Sequence, residues 1–266
     1  MPVHNPTYAQ LGAIAAISAL GGAINSIAGG GTLLTFPALL GLGVPAIAAN
    51  ATSTVALWPG SLASMLGYRR ELVGAERWAA RLAIPSLLGG LSGAGLLLIT
   101  PEDRFRALVP WLVLGATLLF AVQGPLMSWL RTRLGAPDAG RTQAIEPTTG
   151  MLISQYFVGI YGGYFGAGAG IVMLAVFGLM GLKNIHQMNG LKNFNGICFN
   201  GIAAISFAVM GLVNWPIAAV MSVGSMLGGY VMSGLAQRVP QALVRNAVTL
   251  IGVSSAIWLF STRASS

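Results

Sequence analysis

Four stretches of the chain, Tyr8–Ala28, Trp78–Thr100, Ala107–Leu130 and Trp215–Ala236, are apolar almost throughout. Each reaches the roughly 20 residues that a helix needs to cross a hydrocarbon core. The runs are continuous rather than alternating and are rich in Ala, Leu and Gly, which argues against membrane strands. Composition agrees: of 266 residues 55% are hydrophobic and 8% charged, with a mean hydropathy of +0.75. A soluble domain carries about 25% charged residues, and a sphere with so few charges cannot cover its own surface. The expected class is an all-α polytopic membrane protein embedded in a lipid bilayer.

The net charge of +8 and the pI near 10.4 do not indicate nucleic acid. The basic residues fall in short connections between apolar runs, as the positive-inside bias predicts, and no basic stripe is interleaved with aromatics. A single cysteine, Cys198, excludes a disulfide framework and a Cys-based metal site. The leader Met1–Thr7 has no Lys or Arg, so no signal peptide is expected.

The one long polar stretch, Arg131–Thr149, reads as a cytoplasmic linker between an N-terminal repeat (1–130) and a C-terminal repeat (150–266). At a shift of 139 residues Gly31 falls on Gly170, Asn50 on Asn189, Gly89-Gly90 on Gly228-Gly229 and Gly95 on Gly234. Each half divides into five apolar segments: 8–28, 32–43, 46–67, 78–100 and 105–130, then 150–165, 169–182, 185–211, 215–236 and 241–260. The second segment of each half is short and opens after a glycine cluster, Gly29–Gly31 or Gly166–Gly170. Short, Gly/Pro-interrupted segments at matching places point to a binding site near the bilayer midplane.

An odd number of segments per half predicts inverted repeats, and the charges agree. Arg69, Arg70, Arg77 and Arg81 follow the third segment of the first half, whereas its counterpart, Gly211–Asn214, has none. After the fourth segment, Glu102, Asp103, Arg104 and Arg106 cancel, while the counterpart carries Arg238 and Arg245. With both termini periplasmic, ten basic residues face the cytoplasm (the four arginines above, Arg131, Arg133, Arg141, Lys183, Arg238 and Arg245) against three outside (Arg104, Arg106, Arg263).

Lys192 stands apart, seven residues into an apolar run and with no Asp or Glu in any apolar segment to pair with it. An ammonium at membrane depth costs about 2.5–3.5 kcal/mol on insertion scales. It reads as an anion ligand, the substrate being its counter-charge. Snorkelling to the interface is the other reading. Around it lie Asn189, Asn193, Asn195 and Asn200, with His186 earlier, and the corresponding first-half stretch contains Asn50, Thr52 and Ser53. Such amides and hydroxyls donate to oxyanions, and they also join helices in membranes. Helices starting at Thr32 and Ile171 aim free N–H groups and a positive dipole end at an anion, which adds Gly30, Gly31, Gly168 and Gly170 to the candidate site. Close helix packing is the alternative for glycines, and the expected one at Gly89–Gly93 and Gly228-Gly229. No enzyme is expected: two histidines, no acidic pair and no Gly-x-Ser-x-Gly elbow leave no catalytic constellation, and no metal or other cofactor is called for.

The stretch Asn25–Pro37 (Asn-Ser-Ile-Ala-Gly-Gly-Gly-Thr-Leu-Leu-Thr-Phe-Pro) followed by Ala49–Ser53 resembles the first-half signature of the TauE/SafE sulfite-exporter-like family. Gly162–Gly170 and Asn189–Asn195, with the lysine and its following asparagine, resemble the second-half signature. The resemblance spans nearly the whole chain. It implies a secondary transporter of the bacterial inner membrane that exports sulfite, sulfoacetate or a related organosulfur anion. An anion channel and a non-transporting membrane assembly protein are the competing readings.

Overall fold

The computed structural model describes residues 7–134, 147–179, 182, 185–235 and 241–264. Residues 1–6 of the leader, the linker from 135 to 146, Lys183 and Arg238 lie outside the described residues, and so do the side chains of His186, Arg131, Arg133 and Arg263. Among the described residues there are ten α-helices and no strand. They are α1 (Tyr8–Ile27), α2 (Thr32–Gly41), α3 (Ala46–Tyr68), α4 (Glu76–Ile99), α5 (Glu102–Leu134), α6 (Thr149–Tyr164), α7 (Ala169–Leu179), α8 (Ile185–Val209), α9 (Trp215–Leu235) and α10 (Gln241–Ala264). They coincide with the ten apolar segments to within four residues at either end. The difference is largest at α5, which runs on through Leu134 and takes in the start of the polar stretch read as linker. Among the described residues five helices are long and apolar enough to cross a membrane: α1, α4, α5 over Glu102–Val122, α9, and α10 over Leu243–Thr262. The chain is a multi-pass helical membrane protein.

Local chemistry explains the helix ends. Thr7 and Gln10 form a reciprocal capping box at the start of α1, with Thr7 N donating to Gln10 Oε1 at 2.8 Å. The N-cap of α3 is Pro45, which has no hydroxyl to offer. Its orphan amides at Ala46 and Ile47 instead donate to the Glu102 carboxylate at 2.5 and 3.2 Å. That acid, which sequence reading left in a loop, ties the outer α5 to the start of α3 and sits where the helix dipole favours negative charge.

Apolar helices in lipid gain little from hiding apolar surface from water, so close approach through small residues decides who packs on whom. α9 lies on α1 through Gly224 and Gly228, which meet the Ala15 and Ala19 backbones, and on α3 through Gly229 against Gly60. α4 lies on α6 through Gly89 and Gly93, and on α8 through Gly90. Gly89, Gly90, Gly93, Gly228 and Gly229 pack helices, as the sequence indicated, and Gly224 and Gly60 join them. Hydroxyls finish the contacts: Ser18 donates to Met221 O and Ser225 to Ala56 O, while Trp58 Nε1 reaches Ile197 O at 3.1 Å between α3 and α8. α5 and α10 pair at the periphery, with Gly252 on Thr117 and Trp111 edge-on to Phe260. A Gly228→Val side chain would enter the Ala19 backbone. We expect it to lower stability by about 1–3 kcal/mol or more, measured as a drop in thermal unfolding midpoint in detergent. Gly234→Val, whose added carbon meets nothing within 4 Å, should leave the midpoint unchanged.

Candidate functional site

Both short helices turn back on the helix before them. The space a side chain at Gly21 would occupy is bounded by Thr35 and by Gly31 O, which sets α2 alongside α1. Gln155 Nε2 donates to Met173 Sδ at 3.5 Å, setting α7 alongside α6. The reversals use left-handed backbone that only glycine adopts without strain: Gly29 (φ 77°), Gly166 (φ 81°) and Gly168 (φ 78°). The two turns then meet each other. Gly168 N donates to Gly29 O at 3.2 Å, and a side chain at Gly29 would strike the Gly170 backbone. Four helix ends therefore converge, the C-terminal ends of α1 and α6 and the N-terminal ends of α2 and α7. Dipole ends of both signs, each about half an elementary charge, share one small region.

Lys192 comes to this junction from α8. It is 2% exposed, and its Nζ donates to Ser26 O at 3.2 Å and Ile27 O at 2.9 Å, the last carbonyls of α1. Asn193 Nδ2 adds a weaker bond to Ser26 O at 3.4 Å. The lysine does not snorkel: it answers a helix C-terminus, a favourable place for a cation. Two of its three donors are spent there. The third is available to a small cavity, with about 30 Å³ open to the centre of a water molecule. Lys192, Asn193, Gly196, Phe199 and Asn200 of α8 line one side, and Gly166, Ala169, Gly170 and Met173 line another. Asn25 of α1, Gly29 of the turn after it and Ser61 of α3 close it. The N-terminal, positive dipole end of α7 begins at this wall, although its Ala169, Ile171 and Val172 N–H groups already donate to Gly166 O or Gly168 O. The ammonium, the helix N-terminus and the amides suit an anion, while Met173 and Phe199 supply an apolar flank.

The sequence-derived site residues part company here. Lys192, Asn193 and Gly170 line the cavity. Gly168 stands behind it, in the bond to Gly29. Gly30 and Gly31 do not line it: Gly30 is pressed on the Phe120 ring and Gly31 on Gly21 O, and Gly29 takes the cavity position instead. Asn195 faces α4, accepting from Ser86 at 2.9 Å and donating to Leu191 O, within a buried set completed by Gln155. Ser53 pairs with Thr35 at 2.6 Å, and Thr52 Oγ1 accepts from Asn214 N at 3.0 Å. Asn50 donates to Tyr164 O at 3.0 Å. Asn189 is half-buried with its Oδ1 unpartnered. His186 lies in the first turn of α8, its side chain outside the described residues. Sequence reading missed Asn25 and Ser61, which bond each other at 3.0 Å. Among the described residues no three of His, Cys, Asp or Glu stand together to hold a metal.

The family description "Sulfite exporter TauE/SafE" matches residues 14–259. The probable membrane transporter protein YfcA of Escherichia coli K12 is 31% identical over 261 residues, 95% of this chain and 90% of the relative. A probable membrane transporter protein of Haemophilus influenzae is 30% identical, covering 86% of both chains. The probable membrane transporter protein ORF9 of Sinorhizobium sp is 26% identical over 91% of this chain and 89% of its own length. No solved structure matches. With helices that cross a membrane and a family match over nearly its whole length, the chain is a membrane transporter and belongs to the sulfite exporter TauE/SafE family.

Proposed function

We propose that the protein exports a small organosulfur or sulfite-type anion, such as sulfite, sulfoacetate or a related sulfonate, by alternating access. The observation that carries this reading is Lys192: an ammonium 2% exposed, anchored on carbonyls alone and bordering a cavity beside the first turn of α7. A buried cation without a carboxylate partner is costly, and an anionic substrate supplies the missing charge. Met173 and Phe199 favour a soft or partly apolar anion over a strongly hydrated one. The test is binding and counterflow on purified protein with sulfite, sulfoacetate, taurine, thiosulfate and sulfate. Saturable exchange of sulfite or a sulfonate is expected. Flux of every anion without saturation would instead mean a channel, and no flux a structural role.

The two halves act, in this reading, as inverted repeats in the inner membrane, with both termini periplasmic and the linker cytoplasmic. Packing supports it. Exchanging each helix for the one five places along turns α1–α9 into α6–α4, α3–α9 into α8–α4 and α1–α2 into α6–α7, all of which are contacts in the fold. The α3–α8 and α5–α10 contacts map onto themselves. Export needs no intramembrane carboxylate for coupling, because the inside-negative potential drives an anion outward by about 2.3 kcal/mol per charge per 100 mV. In proteoliposomes with the potential clamped by potassium and valinomycin, efflux should follow the potential and persist without a pH gradient. Efflux that follows the pH gradient at zero potential, and still does so in His186→Ala, refutes this energetics.

A further inference from the structure

The converging helix ends are not treated alike. The carbonyl end of α1 is met by the Lys192 ammonium. At the shift of 139 residues the place of Lys192 is taken by Ser53, whose hydroxyl is engaged with Thr35. The carbonyl end of α6 is met by a neutral side chain, Asn50, whose Nδ2 donates to Tyr164 O at 3.0 Å. Asn50 is 1% exposed, and its Oδ1 is buried with no hydrogen-bond partner. Its orientation is fixed by chemistry, since the flipped amide would set two acceptors against each other. A buried, unanswered carbonyl oxygen is costly, and this one belongs to an amide held at the C-terminal end of α6, where the helix dipole is negative.

We propose that this end of α6 is a site for a monovalent alkali cation of the sodium class, held by Asn50 Oδ1 and carbonyl oxygens of the last turn of α6. The donor set decides the class. Neutral oxygens at a helix C-terminus suit a hard cation of single charge, and a divalent ion is expected to bring carboxylates. The cation does for α6 what Lys192 does for α1. Asn50, read from sequence as an anion ligand, presents its free atom as an acceptor, which an anion cannot use. The site goes beyond the anion-export reading and does not depend on it.

The experiment uses the intact purified protein in chloride salts without any sulfur anion. Thermal unfolding is followed in sodium, lithium, potassium and N-methylglucamine chloride at equal ionic strength, together with equilibrium binding of radiolabelled sodium. Sodium is expected to raise the unfolding midpoint saturably over N-methylglucamine, with one labelled ion bound per chain. Asn50→Ala should weaken binding at least tenfold, and Asn50→Leu, which fills a similar volume without an oxygen, should do the same. Equal midpoints in all salts and no labelled sodium bound would overturn the proposal, as expected if a water molecule fills the place. Unchanged sodium affinity in Asn50→Ala or in Asn50→Leu would overturn the assignment to this oxygen, and the second variant decides if the first does not fold. Failure of anion transport leaves these outcomes untouched.

Discussion

Replacing Lys192 by alanine is expected to abolish transport of the anion while the protein remains monodisperse. The charge-assisted bonds of one ammonium are worth about 1.5–3 kcal/mol each, so loss of the direct contact weakens substrate binding on the order of tenfold to a hundredfold. The side chain also holds the Ser26 and Ile27 carbonyls, so the variant loses part of the closure of α1 as well. Lys192→Arg separates the two roles. It keeps the charge and can still reach carbonyls, but its larger planar head replaces the compact ammonium at the cavity wall. Stability near wild type with impaired anion affinity is therefore expected for arginine, read by thermal unfolding and substrate titration side by side. Wild-type flux through a folded Lys192→Ala protein would remove the ammonium from the mechanism.

The second large effect is expected at Gly170. A carbon added there meets Ala28 O, Gly29 Cα and Lys192 Cδ, each at 3.1 Å. Gly170→Val must push the lysine stem out of line and part the two turns where they touch. Transport should fall by about tenfold or more, since displacements of about 1 Å at a positioned group cost that much and more. Gly95→Val is the fitting control, because nothing lies within 4 Å of its added carbon. Gly93 is not, since its added carbon enters the Ile160 backbone between α4 and α6. Equal transport in Gly170→Val and Gly95→Val proteins would disconnect the turns from the substrate.

The ten helices were legible because lipid demands long apolar runs, and glycine with proline interrupts them at the turns. Lys192 was legible because a charge inside such a run has no cheap explanation. What the sequence did not carry was direction. An amphipathic helix announces its inner face, but α3 and α8 are apolar or weakly polar all round, so spacing does not say which way Asn50, Thr52, Ser53, Asn189 or Asn195 points. Asn195 turned to Ser86 and Asn50 to Tyr164, whereas Asn193 turned to the cavity. The same blindness hid Asn25 and Ser61. An amide near the end of α1 and one hydroxyl among several in α3 read as helix glue until the fold sets them at the cavity that Lys192 borders. Gly30 and Gly31 were drawn to the site by their neighbour Gly29. Their missing side chains in fact make room for Phe120 and for α1.

The packing of α9 against α3 sets a schedule for making the protein. The Ala56 carbonyl waits for the Ser225 hydroxyl, which emerges 169 residues later. At about 5–20 residues per second of synthesis that is a delay of roughly 8–34 s. Throughout it α3, which carries Asn50, Thr52, Ser53, Thr54, Ser61 and Ser64 and falls short of an apolar spanning helix, already exists without the partner that covers it. Three of its hydroxyls need no partner in that interval, because Thr54, Ser61 and Ser64 donate to carbonyls of their own helix at Asn50, Leu57 and Gly60. Asn50 and Ser53 have no such recourse: the groups they bond lie on other helices, and for Asn50 the carbonyl of Tyr164 has not yet been made.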